Sequence, residues 1–276
     1  MTGDHDPTAH DGSIGIARDG EVLRLTLDRP AARNALTPSM VDILVRELTA
    51  AATDDSLRAI HLTGTGENFC GGADWVSTNK GNEDRENRPR TGNLLRRVPH
   101  GPHRVIELVH TIHLPVVCSI RGWAVGLGCN LALAADFTVA AEDATFWEPF
   151  ADRGFSPDSG ATWLLPRLVG VARAKRMLML GEKVRAHDAE AWGLIHRSVP
   201  GPELDAAVEK LVTQVAAGPT VALGLAKHAI NNSQHTTLGE SMTEELELLE
   251  LSSRTADFKE GLAAFRERRT PEFRGR

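Results

Sequence analysis

The chain has 276 residues, a formal net charge of −6, 41% hydrophobic and 25% charged residues. This is an ordinary globular composition, long enough to bury one large or two modest cores. No region is basic enough to suggest a nucleic-acid partner, although FRERRTPEFRGR (265–276) is a local basic cluster. Three cysteines, Cys70, Cys118 and Cys129, lie in apolar surroundings and form neither a metal-ligand pattern nor a disulfide framework, which fits a reducing cytosol.

The opening MTGDHDPTAHDG lacks the basic and apolar parts of a signal peptide, so residues 1–13 are expected to be a flexible tail. Residues 14–18 and 21–27 alternate around Asp19-Gly20, which predicts a hairpin with a type I′ turn. Residues 36–52 have helical periodicity, with Thr37 as cap and Pro38 at the first helical position. A strand over 58–63 runs into the glycine loop GTGENFCGGAD, and the polar stretch 77–102 reads as a mobile surface loop.

A helix over 104–113, a strand over 115–120, the glycine turn RGWAVGLGCN, a helix over 130–134 and a strand over 136–140 follow. The most membrane-like window, 123–141, contains Asn130, Asp136 and several glycines, and predicts a buried helix and strand rather than a span. From Ser159 onward the pattern is helical, broken by one strand-like piece over 194–199. Apolar strands alternating with helices indicate an α/β core with buried, largely parallel strands over 14–200. A helical subdomain is expected over 201–276.

The two glycine turns, 67–75 and 121–130, each follow a strand. Glycines there let the backbone turn tightly and leave N–H groups facing a ligand. Two such N–H groups can form an oxyanion hole for a carbonyl that gains negative charge. Close packing of turn against strand explains either turn equally well by itself. Neither is a phosphate-binding P-loop or a Rossmann turn.

RPAARNALT (29–37), LTGTGENFCGGAD (62–74), PVVCSIRGWAVGLGCNLALAADFTVAAEDATF (115–146), PDSGATWLLPRLVG (157–170), AWGLIHRSVP (191–200) and DFKEGLAAFRERRTPEF (257–273) together resemble the crotonase, or enoyl-CoA hydratase/isomerase, superfamily. The resemblance implies an α/β fold, a crotonase-like spiral of ββα units with a helical C-terminal trimerisation subdomain. It implies an acyl-CoA thioester substrate, with coenzyme A as part of that substrate, no separate cofactor and no metal. Self-association as a trimer or dimer of trimers follows, with no membrane or nucleic-acid partner. By motif position the oxyanion-hole donors are Ala73 and Leu127, the latter where the family usually has glycine. Cys70, Gly72, Asp74, Gly126 and Gly128 are the adjoining substrate-lining positions. Arg33 and Ala35 match the segment that lines coenzyme A. Phe265 and Arg268 match residues that reach a neighbouring subunit's coenzyme A; a solvated helix face is the alternative for Arg268.

The departures bear on the reaction. Family hydratases carry two glutamates that activate water, and the matching positions here hold Asn130 and Phe150, neither of which exchanges a proton at neutral pH. Glu148 reaches the same space only if its segment is extended; otherwise it is a surface or structural acid. Asp158 matches the catalytic aspartate of family isomerases, and PDSGATWLLPRLVG looks especially like 1,2-epoxyphenylacetyl-CoA isomerase. An N-cap is the alternative for Asp158. Related dehalogenases pair an aspartate here with a histidine, for which His100 and His103 are the nearby residues. Trp147, Phe150 and Trp163 are expected to supply apolar surroundings, and Asn130 to hydrogen-bond substrate or water. The expected activity is acyl-CoA isomerisation, a double-bond shift or epoxide rearrangement, with Asp158 as the single acid/base. The alternatives are an enoyl-CoA hydratase and a non-catalytic acyl-CoA binder.

Overall fold

A computed structural model describes residues 12–74 and 92–276. Residues 1–11 of the expected tail, and residues 77–91 of the expected loop, lie outside the described residues, and Ser13 at the end of that tail already belongs to a strand.

The chain opens with β1 (Ser13–Asp19) and β2 (Val22–Asp28), paired antiparallel with Asp19 opposite Val22. The two-residue turn is therefore Gly20-Glu21. Only Gly20 has positive φ (57°), as a type II′ turn needs, whereas the expected type I′ needs positive φ at both positions. Next comes α1 (Pro38–Ala51), where Thr37 Oγ1 accepts from Met40 N and Pro38 occupies the first turn, as its sequence predicts. Its buried residues Met40, Val41, Leu44, Leu48 and Ala51 form one stripe. The strand β3 (Ala59–Gly64) and helix α2 (Asn93–Arg97) follow, so the C-terminal end of the expected loop is helical. Then come α3 (Pro102–Thr111), β4 (Val116–Ile120), β5 (Trp123–Val125), α4 (Leu127–Ala134), β6 (Phe137–Ala141) and β7 (Thr145–Trp147). The remainder is α5 (Ala161–Leu180), β8 (Val184–Arg185), α6 (Ala186–Trp192), β9 (Arg197–Val199), α7 (Leu204–Ala216), α8 (Thr220–Ser233), α9 (Leu238–Ser252) and α10 (Ala256–Glu267).

Six strands form the main sheet in the order β1-β2-β3-β4-β6-β9, parallel apart from the hairpin. The strands β5-β7-β8 form a second, smaller sheet beside it. Side chains alternate with period two. Leu23, Leu25, Leu27, Ile60, Leu62, Val116, Cys118 and Ile120 enter the larger core with α1, α3 and α4. Val22, Ala59, Val117 and Val139 face the other way, onto Leu204, Val208, Val212 and Val215 of α7. Cover on both faces explains why the central strands β4 and β6 read as largely apolar. The first helix after residue 200 is thus packed on the sheet. Every residue of α4 is buried, and no described helix is long and apolar enough to cross a membrane.

Arg58, at the start of β3, ties the C-terminus to this core. Its guanidinium donates to Thr220 Oγ1 (3.1 Å), to the carbonyl of Phe273 (3.0 Å) and to that of Gly218. Buried Asp257 accepts from the backbone N–H groups of Arg274 and Gly275.

Candidate active site

Where β3 and β4 end, the two glycine turns meet. Cys70 N donates to Trp123 O (2.9 Å) and Val125 N to Cys70 O (3.0 Å), so the turns share a short parallel bridge. Glycine is required at two points of closest approach. A Cβ on Gly128 would lie 2.6 Å from Cys70 Cβ and 2.7 Å from its carbonyl oxygen. A Cβ on Gly72, whose φ is 99°, would lie 2.9 Å from Val125 O and 3.9 Å from Leu127 N.

This packing leaves two amide donors on adjoining segments. Leu36 N donates to Gly72 O (2.8 Å) and Asp74 N donates to Leu36 O (2.9 Å). Because N–H groups alternate sides along an extended segment, the N–H of Ala73 between them is turned away from Leu36. Leu127 is the first residue of α4; Asn130 N donates to Gly126 O to open the helix, and the N–H of Leu127 is one of its unpaired first-turn donors. Gly126 N donates to Trp147 O (2.8 Å), which fixes the turn against β7. Ala73 and Leu127 both line a cavity of about 490 Å³.

Asp158 lines the same cavity, with Phe150 and Phe155. The two phenyl rings meet edge to face, 5.5 Å apart. Asp158 Oδ1 accepts from Ser159 Oγ at 2.9 Å. The helix α5 is preceded by Gly160, and no side chain caps it, so the N-cap alternative for Asp158 is not what the structure has. Ser159 (φ 53°) and Gly160 (φ 87°) are both left-handed and direct the chain sharply between Asp158 and the helix. A buried non-glycine residue in that conformation is uncommon and costs about 1 kcal/mol or more.

Several expected positions lie elsewhere. Asn130 and Glu148 are fully buried but form no part of the cavity wall. Among the described residues, neither amide atom of Asn130 nor Trp147 Nε1 finds a hydrogen-bond partner, and the Glu148 carboxyl has the Cys129 thiol beside it. Glu148 is therefore no surface acid. Burial pushes its carboxyl well above the ordinary carboxylate range and the charge of Asp158 adds to this, while the Cys129 thiol beside it opposes. Trp147 packs edge-on to Trp123 (6.1 Å) with Lys183 Nζ over its ring, on the smaller sheet rather than at the cavity. Trp163 packs against His110 and under the Arg167 guanidinium, lining a separate cavity. The Asp74 carboxylate is engaged by Arg29. Cys70 lies beneath Gly128, where burial raises its thiol to about 12. Gly72 and Gly126 line the cavity. Arg33 is exposed and left-handed (φ 51°), and its carbonyl accepts from Gly71 N; Ala35 lies two residues on. Phe265, 84% exposed, and Arg268 are on the surface of α10 and its C-terminus, away from this chain's own cavity.

Sequence reasoning singled out neither Phe155 nor Leu94, Arg96 and Arg97, which share the wall with His100, one of the two histidines named above. The paired arginines of NLLRRVPH are a usable signal beside a site expected to take an anionic ligand, and their segment is helical rather than loop. His103 does not line this cavity, and its buried Nε2 has no partner among the described residues.

Residues 17–276 match the family described as enoyl-CoA hydratase/isomerase. The chain belongs to that family. This family member is 36% identical over 255 residues to the 1,2-epoxyphenylacetyl-CoA isomerase of Escherichia coli K12, covering 92% of this chain and 95% of that protein. It is 35% identical over 261 residues to the 2,3-dehydroadipyl-CoA hydratase of the same organism, covering 95% and 98%. Among solved structures, an enoyl-CoA hydratase from Polaromonas sp. JS666 superposes with a TM-score of 0.88 at 30% identity, over 95% of this chain and all of that one. The crotonase-like fold expected from the motifs is thus the fold of this family member, and its chemistry is that of the family's acyl-CoA hydratases and isomerases.

Proposed function

We propose that this family member is an acyl-CoA isomerase in which Asp158 is the one group that takes and returns the proton. The observation that carries the reading is that Asp158 shares a cavity wall with Ala73 and Leu127, whereas the two positions where family hydratases carry glutamate hold buried Asn130 and apolar Phe150.

The thioester oxygen accepts from the N–H groups of Ala73 and Leu127. Asp158 removes a proton from the carbon α or γ to the carbonyl, and the electron pair moves onto the oxygen as an enolate held by the two donors. Protonation by Asp158 at another carbon collapses the enolate and shifts the double bond, with no net change in atoms. In an epoxide substrate the same donors stabilise charge while a C–O bond of the ring opens and re-forms elsewhere. Hydration differs in needing a group that activates water. In this reading exposed Arg33, with Ala35, lines coenzyme A, and Phe265 and Arg268 reach a neighbouring subunit's ligand. Self-association is supported by exposed Ile230, Leu238, Met242, Leu246 and Leu249 on α8 and α9.

Hydration is the second reading, because Glu148 keeps a buried carboxyl close enough to feel the charge of Asp158. A panel of acyl-CoA esters in deuterated water, followed by mass spectrometry, tests both. Isomerisation places deuterium at carbon without mass gain from water. Addition of water to crotonyl-CoA, with no proton exchange in any ester, would overturn the isomerase reading.

A further inference from the structure

The donor on Ala73 follows a segment anchored by the Cys70–Ala124 bridge and by the Gly71 N–H on Arg33 O. Its pairing with Leu36 is an isolated bridge, held by two backbone hydrogen bonds and continued by no strand among the described residues. By contrast, the donor on Leu127 is anchored by a whole helix. An oxyanion donor must keep its direction to within a fraction of an ångström, so the Ala73 side needs a further constraint.

Arg29 supplies one. Its Nη1 donates to Asp74 Oδ2 at 2.7 Å and to Ala35 O at 3.3 Å. The two side chains are only 20% and 10% exposed. Arg29 is itself fixed: its backbone N–H donates to Asn34 Oδ1 (2.8 Å), and its carbonyl accepts from Ala32 N and Asn34 N. Asn34, fully buried and left-handed (φ 54°), in turn donates to the carbonyls of Thr65 and Asn68. A continuous set of bonds therefore runs from the end of β2, through Arg29, to the residue that follows Ala73. Asp74 is held at its amide by Leu36 O and at its carboxylate by Arg29, so rotation of the Ala73–Asp74 segment about the bridge is blocked at both ends.

We propose that Arg29 is a positioning residue of the thioester site, acting through Asp74 to hold the Ala73 N–H in line with the substrate oxygen. The inference rests on the oxyanion-hole reading given above. It makes the Arg29–Asp74 pair more than an ion pair of the fold, because its loss should act on carbonyl polarisation before it acts on binding.

The test uses 4-dimethylaminocinnamoyl-CoA, whose absorbance moves to the red when its thioester carbonyl is polarised. Wild type, Arg29→Gln, Arg29→Lys and Asp74→Asn are compared for dissociation constant, absorbance of the bound probe and thermal unfolding. Wild type should show the red shift. Arg29→Gln and Asp74→Asn should lose about half of it or more while binding the probe within roughly threefold of wild type, and Arg29→Lys should recover most of it. Isomerisation by the Gln and Asn variants should fall about 10- to 100-fold in kcat with little change in KM. A full red shift per bound probe in folded Arg29→Gln or Asp74→Asn, even with weaker binding, overturns the positioning role and leaves the oxyanion hole intact. No red shift in saturated wild type overturns the oxyanion hole and this inference with it.

Discussion

Asp158 accepts a hydrogen bond from the hydroxyl of its neighbour Ser159 at 2.9 Å, and its carboxylate caps no helix. The left-handed backbone of Ser159 and Gly160 separates the acid from α5 and leaves it on the cavity wall with Ala73 and Leu127. Its place in the chain is that of a capping residue; its place in space is on the cavity wall.

Asp158→Asn keeps the size of the side chain and its ability to accept from Ser159. Isomerase turnover should fall by about 10²–10⁴-fold while affinity for a saturated acyl-CoA stays near wild type. Steady-state kinetics and calorimetric titration check this, and turnover at the wild-type rate would remove Asp158 from the mechanism.

Gly128→Ala forces a Cβ into Cys70 and its carbonyl, both at under 2.8 Å. The cost should be about 1–3 kcal/mol in chemical denaturation. Gly72→Ala adds a conflict between its positive φ and an L side chain, and pushes on Val125 O, two residues before Leu127. Its turnover should drop further than its stability does, a contrast that kinetics and denaturation together will reveal.

Glu148→Gln separates the two readings of the reaction. The folded-state pKa of Glu148 is raised, so the fold keeps a proton that the unfolded chain releases above the ordinary glutamate value of 4.5. Its contribution to stability is therefore greatest below pH 4.5 and is lost as pH rises towards the folded value. The Gln variant should lose that part of the pH slope in denaturation series. It should also isomerise within about threefold of wild type, since a lone Asp158 suffices. Loss of turnover in a stably folded Gln variant would instead favour hydration or a second acid.

His61 predicts a slope of opposite sign. Burial, followed by the Arg24 charge, lowers it from 6.5 to about 4. Arg24 donates to Nδ1, so the neutral ring carries its proton on Nε2 and donates to Ser119 Oγ, which donates on to Thr63. The unfolded chain protonates first, so this stability is present above pH 6.5 and lost as pH falls to about 4, by about 3 kcal/mol at most. Urea midpoints at pH 7.5 and 4.5 should diverge less in His61→Gln than in wild type.

Elements with their own local signals were readable along the chain. Thr37 and Pro38 mark the start of α1, and the apolar runs of β3, β4 and β6 mark strands buried on both faces. The strands β5 and β7 have three residues each, too few for any period to show, and their pairing comes from partners distant in sequence. The site divides similarly. Ala73, Leu127 and Asp158 were identifiable from their motifs. Trp147 was misplaced because orientation on a short strand depends on which sheet it joins, and Arg29 was overlooked because its significance lies in a contact with Asp74.

The sequence by itself determined the local elements, because caps and apolar runs are rules of the local chain, and its family motifs named Ala73, Leu127 and Asp158 as candidate donors and acid. Tertiary structure decided which of them share a cavity, and which polar groups, Asn130 and Glu148 among them, are shut behind it. Those outcomes depend on how α4 and β7 pack against the turn carrying Cys70, an energy spread over many contacts between distant segments and written in no single stretch.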